Sequence, residues 1–118
     1  MLSLAHNTRI FLHLPPTDLR KSFDGLGGLV RSAFGADPCD GSWYLFFNRR
    51  RDRVKVLYWD RDGLALWYKR LECGTFEALH AVSGSAATRE LDVTQLTLLL
   101  SGVTLESAQR RKRFAQAG

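Results

Sequence analysis

Phe46-Phe47-Asn48-Arg49-Arg50-Arg51-Asp52-Arg53-Val54-Lys55-Val56-Leu57-Tyr58-Trp59-Asp60-Arg61-Asp62-Gly63-Leu64-Ala65-Leu66-Trp67-Tyr68-Lys69-Arg70-Leu71-Glu72 is the stretch that decides the fold. Val54, Val56 and Tyr58 alternate with Arg53, Lys55, Leu57 and Trp59, which is the period of a strand with two different faces. Three strands follow from this pattern: Trp43–Asn48, Arg53–Trp59 and Leu64–Leu71. Asn48–Asp52 joins the first two and Asp60–Gly63 the last two. Both connections are short enough for antiparallel hairpins, and the second carries the Asp and Gly residues that turns favour. Pairing Trp59 with Leu64 or Leu66 puts Arg53, Lys55 and Arg70 on one face. Like charges across a strand pair repel unless a counterion lies between them.

Upstream, Thr8–His13 reads as a first strand, ended by Pro15 and Pro16, which cannot donate to a ladder. Thr17 or Asp18 then caps a helix. Its apolar stripe runs through Leu19, Phe23, Leu26, Leu29, Val30 and Phe34, at helical spacing. Gly25, Gly27 and Gly28 cost this helix about 1 kcal/mol each relative to Ala, and close packing of helix on sheet explains them. Gly35 is the C-cap, and 36–41 is a loop. Downstream, 73–88 is small, polar and Gly-bearing, and reads as a loop with one strand-like patch. Arg89–Val93 is a candidate short edge strand. Thr94 caps a helix that runs from Gln95 through Ser101 and ends at Gly102. The expected class is α+β: an antiparallel sheet of about four strands, with one main helix packed on it and a short C-terminal helix. Residues 1–105 form one domain, and 106–118 form a flexible basic tail.

Charge is concentrated. Residues 49–70 hold eight cationic side chains against three carboxylates, and the tail holds Arg110, Arg111, Lys112 and Arg113 against Glu106. The chain as a whole carries +5, so the remainder is mildly acidic. Arg dominates, and its fork suits phosphate in a way that Lys does not. A basic zone of this density points to an anionic partner. The chain of 118 residues suits one domain. No apolar run reaches the roughly 20 residues needed to cross a bilayer. The N-terminal residues do not read as a signal peptide, and Cys39 and Cys73 are expected as reduced thiols of a cytoplasmic protein. His6, His13 and His80 share no ligand spacing with either Cys, so no metal and no cofactor is expected.

Several separated motifs carry a family resemblance. They are Thr17–Leu26 (Thr-Asp-Leu-Arg-Lys-Ser-Phe-Asp-Gly-Leu), Phe47–Asp60, Gly63–Glu72, and Gln95-Leu96 with Leu98–Gly102. In this order and spacing the chain resembles the TnpB-type small accessory protein of a bacterial insertion-sequence family, the sixty-six family, over roughly residues 8–103. That family encodes two small proteins beside a DDE transposase, and the resemblance is to the second. It is distinct from the much larger RNA-guided nuclease that shares the TnpB name. The resemblance implies a role in DNA transposition, with no established chemical activity. It also implies the transposase and the companion accessory protein as partners. After Phe76 the family shows a Trp-Pro-like continuation, and this chain has Glu77-Ala78-Leu79 instead.

A Mg²⁺-dependent nuclease would recruit Asp18, Asp24, Asp60 and Asp62. Each has a simpler role as a helix cap, a polar helix residue or a turn former, so no enzyme is expected. The binding reading uses Arg49, Arg50, Arg51 and Arg53 as phosphate clamps on a mobile loop. Lys55, Lys69 and Arg70 extend the patch over the sheet. Arg20 and Lys21 add to it from the first turn of the helix, where cations oppose the macrodipole. Tyr58, Trp59, Trp67 and Tyr68 stack on bases where exposed, although Tyr58 and Trp67 suit the core better. The expected function is therefore a non-catalytic accessory protein of DNA transposition that binds DNA. The alternative is a module that docks on the transposase or on the other accessory protein.

Overall fold

The computed structural model describes residues 7–81, 87–102 and 105. The basic tail at 106–118, and with it the boundary drawn at residue 105, lies outside the described residues.

Strands β1 (Ile10–His13), β2 (Trp43–Phe47), β3 (Arg53–Asp60), β4 (Gly63–Arg70) and β5 (Thr88–Leu91) form one sheet in the order β4-β3-β2-β1-β5. Helix α1 (Phe23–Phe34) connects β1 to β2, and α2 (Val93–Ser101) follows β5. Both hairpins of the arginine-rich stretch are present: β2 pairs antiparallel with β3, and β3 with β4. Trp59 faces Leu64, and Arg53 faces Arg70.

The α+β class holds, with a correction to the sheet. Among the described residues it has five strands and is mixed. β1 runs parallel to β2, with Ile10 opposite Trp43, and β5 closes the other edge antiparallel to β1. The reason is the connection. A hairpin loop returns the chain antiparallel, whereas a crossover through a helix brings it back parallel.

The sheet is covered on both faces. On one, Leu19, Leu26 and Val30 pack with Tyr44, Phe46 and Leu57. On the other, Leu96 and Leu99 of α2 pack with Ile10, Leu12, Leu45, Phe47, Val54 and Val56, joined by Phe76 and Leu79. All five residues of β2 are buried, as expected of a strand covered on two sides. Each large apolar side chain buried there contributes on the order of 1.5–3 kcal/mol. The 73–81 segment is a loop, but Phe76 is fully buried and Leu79 is 6% exposed, so it forms part of the second core. Residues 82–86 lie outside the described set.

Both helix starts differ from expectation. α1 begins at Phe23 with Ser22 as N-cap, not after Thr17 or Asp18. Thr17 is held elsewhere: its Oγ1 lies 3.1 Å from His13 Nδ1, and its N–H donates to the Phe47 carbonyl. Leu19 is buried from the loop before the helix, which explains its helical spacing without helical structure. α2 is capped by Asp92, not Thr94. The Asp92 carboxylate accepts from the Gln95 N–H at 2.7 Å, and the Gln95 side chain accepts from the Asp92 N–H. This reciprocal pair satisfies two donors that a helix start leaves open. The explanation offered for the helix glycines also fails. An added Cβ would meet the Lys21 side chain at Gly25, Arg31 and Pro38 at an ordinary 3.7 Å at Gly27, and no atom within 4 Å at Gly28. None of the three is pressed against the sheet.

Candidate nucleic-acid interface

The loop between β2 and β3 is tied down by Asn48. Its Oδ1 accepts from the N–H groups of Asp52 and Arg53, and its Nδ2 donates to Asp52 Oδ1 at 2.6 Å. Arg51 stands at φ 59, a left-handed conformation uncommon for a non-glycine residue. Its guanidinium turns inward, donating to the carbonyls of Phe76 and Glu77, with Nη2 at 2.7 Å from the latter. It also lies 4.5 Å from the centre of the Phe47 ring. The Phe76 N–H in turn donates to the Arg51 carbonyl. The loop is therefore a fastened turn rather than the mobile one expected.

Fastening this turn points Arg49 and Arg50 outward. Both are exposed, and no hydrogen bond or ion pair engages either side chain among the described residues. They line a cleft of about 440 Å³ whose other walls include Pro16, Thr17, Asp18, Arg20, Asn48, Asp52, Arg53 and Tyr68. The cleft lies where the β1–α1 connection meets the arginine loop, and the hydrogen bond from Thr17 N–H to the Phe47 carbonyl holds the two together. Arg53 reaches Tyr68 with Nη1 at 3.2 Å from the hydroxyl, and Tyr68 is 48% exposed.

Arg20 enters the cleft through a neighbour. Its guanidinium forks onto Asp18, with Nη2 at 2.6 Å from Oδ2, and the Asp18 carboxylate also accepts the Arg20 N–H. These bonds hold the Asp18 carboxyl at about 2, below its ordinary range, and raise Arg20 further above its own. Arg20 and Lys21 precede α1 rather than forming its first turn, so the macrodipole argument does not apply to them. Asp24 is the charge in that turn, with the favourable sign.

The remaining cations divide. Arg70 lies opposite Arg53 in the strand pair and forms an ion pair with Glu72 at 2.9 Å, which supplies a counter-charge to that repulsion. Lys55 is only 8% exposed. Its Nζ donates to the Lys21 carbonyl at 2.8 Å and lies 4.8 Å from the Tyr68 ring centre, so it braces the fold beneath the patch. Lys69 pairs with Val54, which places it on the opposite face. The structure thus gathers Arg20, Arg49, Arg50 and Arg53 around one cleft, with Arg70 on the adjoining strand. It withdraws Arg51, Lys55 and Lys69 from it. Sequence reasoning missed the roles of Asn48 and Asp52, although a side-chain pair at i and i+4 enclosing three arginines was the available signal.

The four aspartates raised for metal chemistry fall at three separate places. Asp18 is in the β1–α1 connection, Asp24 on α1, and Asp60 and Asp62 at the β3–β4 turn. Among the described residues no three His, Cys, Asp or Glu side chains are grouped to hold a metal ion. No helix there is long and apolar enough to cross a membrane.

Comparison with known proteins places this sequence in a family. Two proteins of Sinorhizobium fredii (strain NBRC 101917 / NGR234) are similar over nearly the whole chain. The uncharacterized protein y4jC is 32% identical over 111 residues, covering 94% of this chain and 92% of the relative. The uncharacterized protein y4hO is 31% identical over 118 residues, covering all of both. No solved structure matches. The profile of the family described as IS66 Orf2 like protein matches residues 8–110, spanning the cleft and both helices. The chain therefore belongs to the IS66 Orf2-like family of insertion-sequence accessory proteins.

Proposed function

We propose that this chain is a non-catalytic accessory protein of DNA transposition whose arginine cleft binds the phosphate backbone of DNA. One observation carries the reading. Arg49 and Arg50 project from a fastened loop with no side-chain partner among the described residues, beside Arg20 and Arg53 in the same cleft. A loop whose backbone is already fastened loses little entropy on meeting phosphate, the guanidinium fork matches phosphate oxygens, and each contact releases condensed counterions from the duplex. Tyr68 offers a ring face beside them that suits a base or a sugar.

The experiment is a DNA-binding titration against salt concentration, with the pair Arg49→Ala and Arg50→Ala compared with the unaltered protein. Arg51 is kept, because replacing it would disturb the loop. If both arginines meet duplex phosphates, the logarithmic salt slope falls by about 0.9 for each. The loss should be similar for unrelated sequences. An unchanged affinity and slope would remove DNA from the reading.

A second reading has its own support. Asp18 and Asp52 line the same cleft, and a wall of mixed sign also suits a protein surface. The same variant, tested for binding to the transposase of its element, separates the two. Loss of that binding with DNA affinity intact favours the protein partner.

A further inference from the structure

Tyr68 is held at two points and still left open to solvent. It stands opposite Lys55 in the β3–β4 pair, and the Lys55 ammonium lies over one face of its ring, 4.8 Å from the centre. Lys55 is itself fixed, since its Nζ donates to the Lys21 carbonyl at 2.8 Å and the residue is buried. The Tyr68 hydroxyl accepts from Arg53 Nη1 at 3.2 Å. With one face backed and the hydroxyl pinned, the ring has little freedom left to lose on binding. Yet the residue is 48% exposed, and it forms a wall of the cleft that holds Arg49, Arg50 and Arg53. A fixed ring with an open side beside phosphate-binding cations is the arrangement on which unpaired bases stack.

We propose, resting on the phosphate reading above, that the cleft takes an unpaired nucleotide of single-stranded DNA. Its base stacks on the open side of Tyr68, and the phosphates before and after it meet Arg49, Arg50 and Arg53. Size supports this: at about 440 Å³ the cleft lies in the roughly 300–1,000 Å³ range of sites that enclose small molecules. A single nucleotide is of that scale. A duplex meets such a hollow only with phosphates and sugars, because the faces of its bases are stacked inside the helix. Arg53 joins the two halves of the site. It fixes the ring through the hydroxyl, and its other guanidinium donors have no partner among the described residues. The carboxylates of the wall fit as well. Asp18 and Asp52 oppose an unbroken run of phosphates, whereas the amino group of a base donates to a carboxylate. Arg20 already offsets the charge of Asp18. Asp52 gives Oδ1 to Asn48, and its Oδ2 has no partner among the described residues. Three guanidinium groups around one cleft also suit a nucleotide with a phosphate on each side, which a strand carries and a free nucleoside monophosphate does not.

The test measures binding of the full chain, by fluorescence anisotropy at fixed salt, to three end-labelled probes of equal length. They are a single strand of mixed sequence, its duplex, and a strand with abasic sites in place of the bases. Contact through phosphates alone favours the duplex, whose charge density is higher. A stacked base adds an attraction that does not depend on charge. The single strand is therefore expected to bind more tightly than the duplex, and more tightly than the abasic strand by about fivefold or more. Tyr68→Leu should lose that advantage for the intact strand and leave the abasic strand and the duplex unchanged. Tyr68→Phe keeps the ring and should retain most of it. If Tyr68→Leu fails to fold, the abasic comparison decides alone, because it uses the unaltered protein. An abasic strand bound as tightly as the intact one overturns the proposal and leaves the phosphate reading standing. So does a duplex bound more tightly than the single strand, or a free nucleoside monophosphate that competes as well as the strand. Arg49→Ala with Arg50→Ala separates the two readings: unchanged affinity for all three probes overturns both.

Discussion

At Arg51 the backbone turns left-handed, and the guanidinium lands on two carbonyls and an aromatic ring. Arg50, one residue earlier, faces solvent. The two should respond in opposite ways to the same substitution. Arg51→Ala removes hydrogen bonds from a charged group to part-buried carbonyls and is expected to cost about 2–3 kcal/mol. Arg50→Ala should stay within about 0.5 kcal/mol, as surface changes do. Urea unfolding of both variants measures the difference. Asp18 offers a second check. Its carboxyl titrates at about 2 because Arg20 grips it. The pairing is complete above the ordinary value of 3.8 and is lost as pH falls through about 2. Carbon-detected NMR titration should find this low value in the unaltered protein, and a return towards 3.8 in Arg20→Ala.

At the scale of elements, both hairpins were legible because alternation and turn residues are local signals. The parallel pairing of β1 with β2 was not, since alternation looks the same in either direction. The start of α1 misled for a related reason: Leu19 has helical spacing, but it reaches the core from a loop. In α2, Asp92 and Thr94 are both competent caps by type, and only the three-residue spacing to Gln95 selects Asp92. Gly28 gives a prediction here. It sits on the exposed side of α1 with open space where a Cβ would be. Gly28→Ala should raise stability by roughly 0.5–1 kcal/mol, through the lower entropy of the unfolded chain. A lower urea midpoint would mean that the position carries a constraint the packing does not explain.

Across the whole molecule, the basic zone was visible in the sequence, but its accessible part was not. Arg51 and Lys55 turn inward to carbonyls of Phe76, Glu77 and Lys21, and those partners are 25, 26 and 34 positions away. A count of charges contains no such information. The aromatic cluster around His13 is also assembled from distant segments, with Phe34 at 6.0 Å and Phe46 at 5.7 Å between ring centres. Burial there pushes the His13 imidazole below its ordinary 6.5. The unfolded chain then takes up that proton first as the medium acidifies. His13 thus favours folding fully above pH 6.5 and progressively less below it. The urea midpoint should fall between about pH 7 and about pH 5, and His13→Gln should flatten that fall.

The place of β5 in the sheet bears on how the chain is made. Among the described residues its only strand partner is β1, and the ion pair between Arg9 and Glu90 that flanks this ladder joins residues 81 positions apart. Synthesis proceeds from the N-terminus, so β1 emerges first and waits with one edge bare until nearly the whole domain has left the ribosome. The β2–β3–β4 meander needs no such delay, since its contacts are local and close quickly. The nascent chain thus passes through an interval in which β2, β3 and β4 can be formed while β1 still lacks its outer neighbour. Closure of that edge by residues 88–91 is the long-range event that completes the sheet, and until then the bare edge is where a nascent chain is most exposed to mispairing.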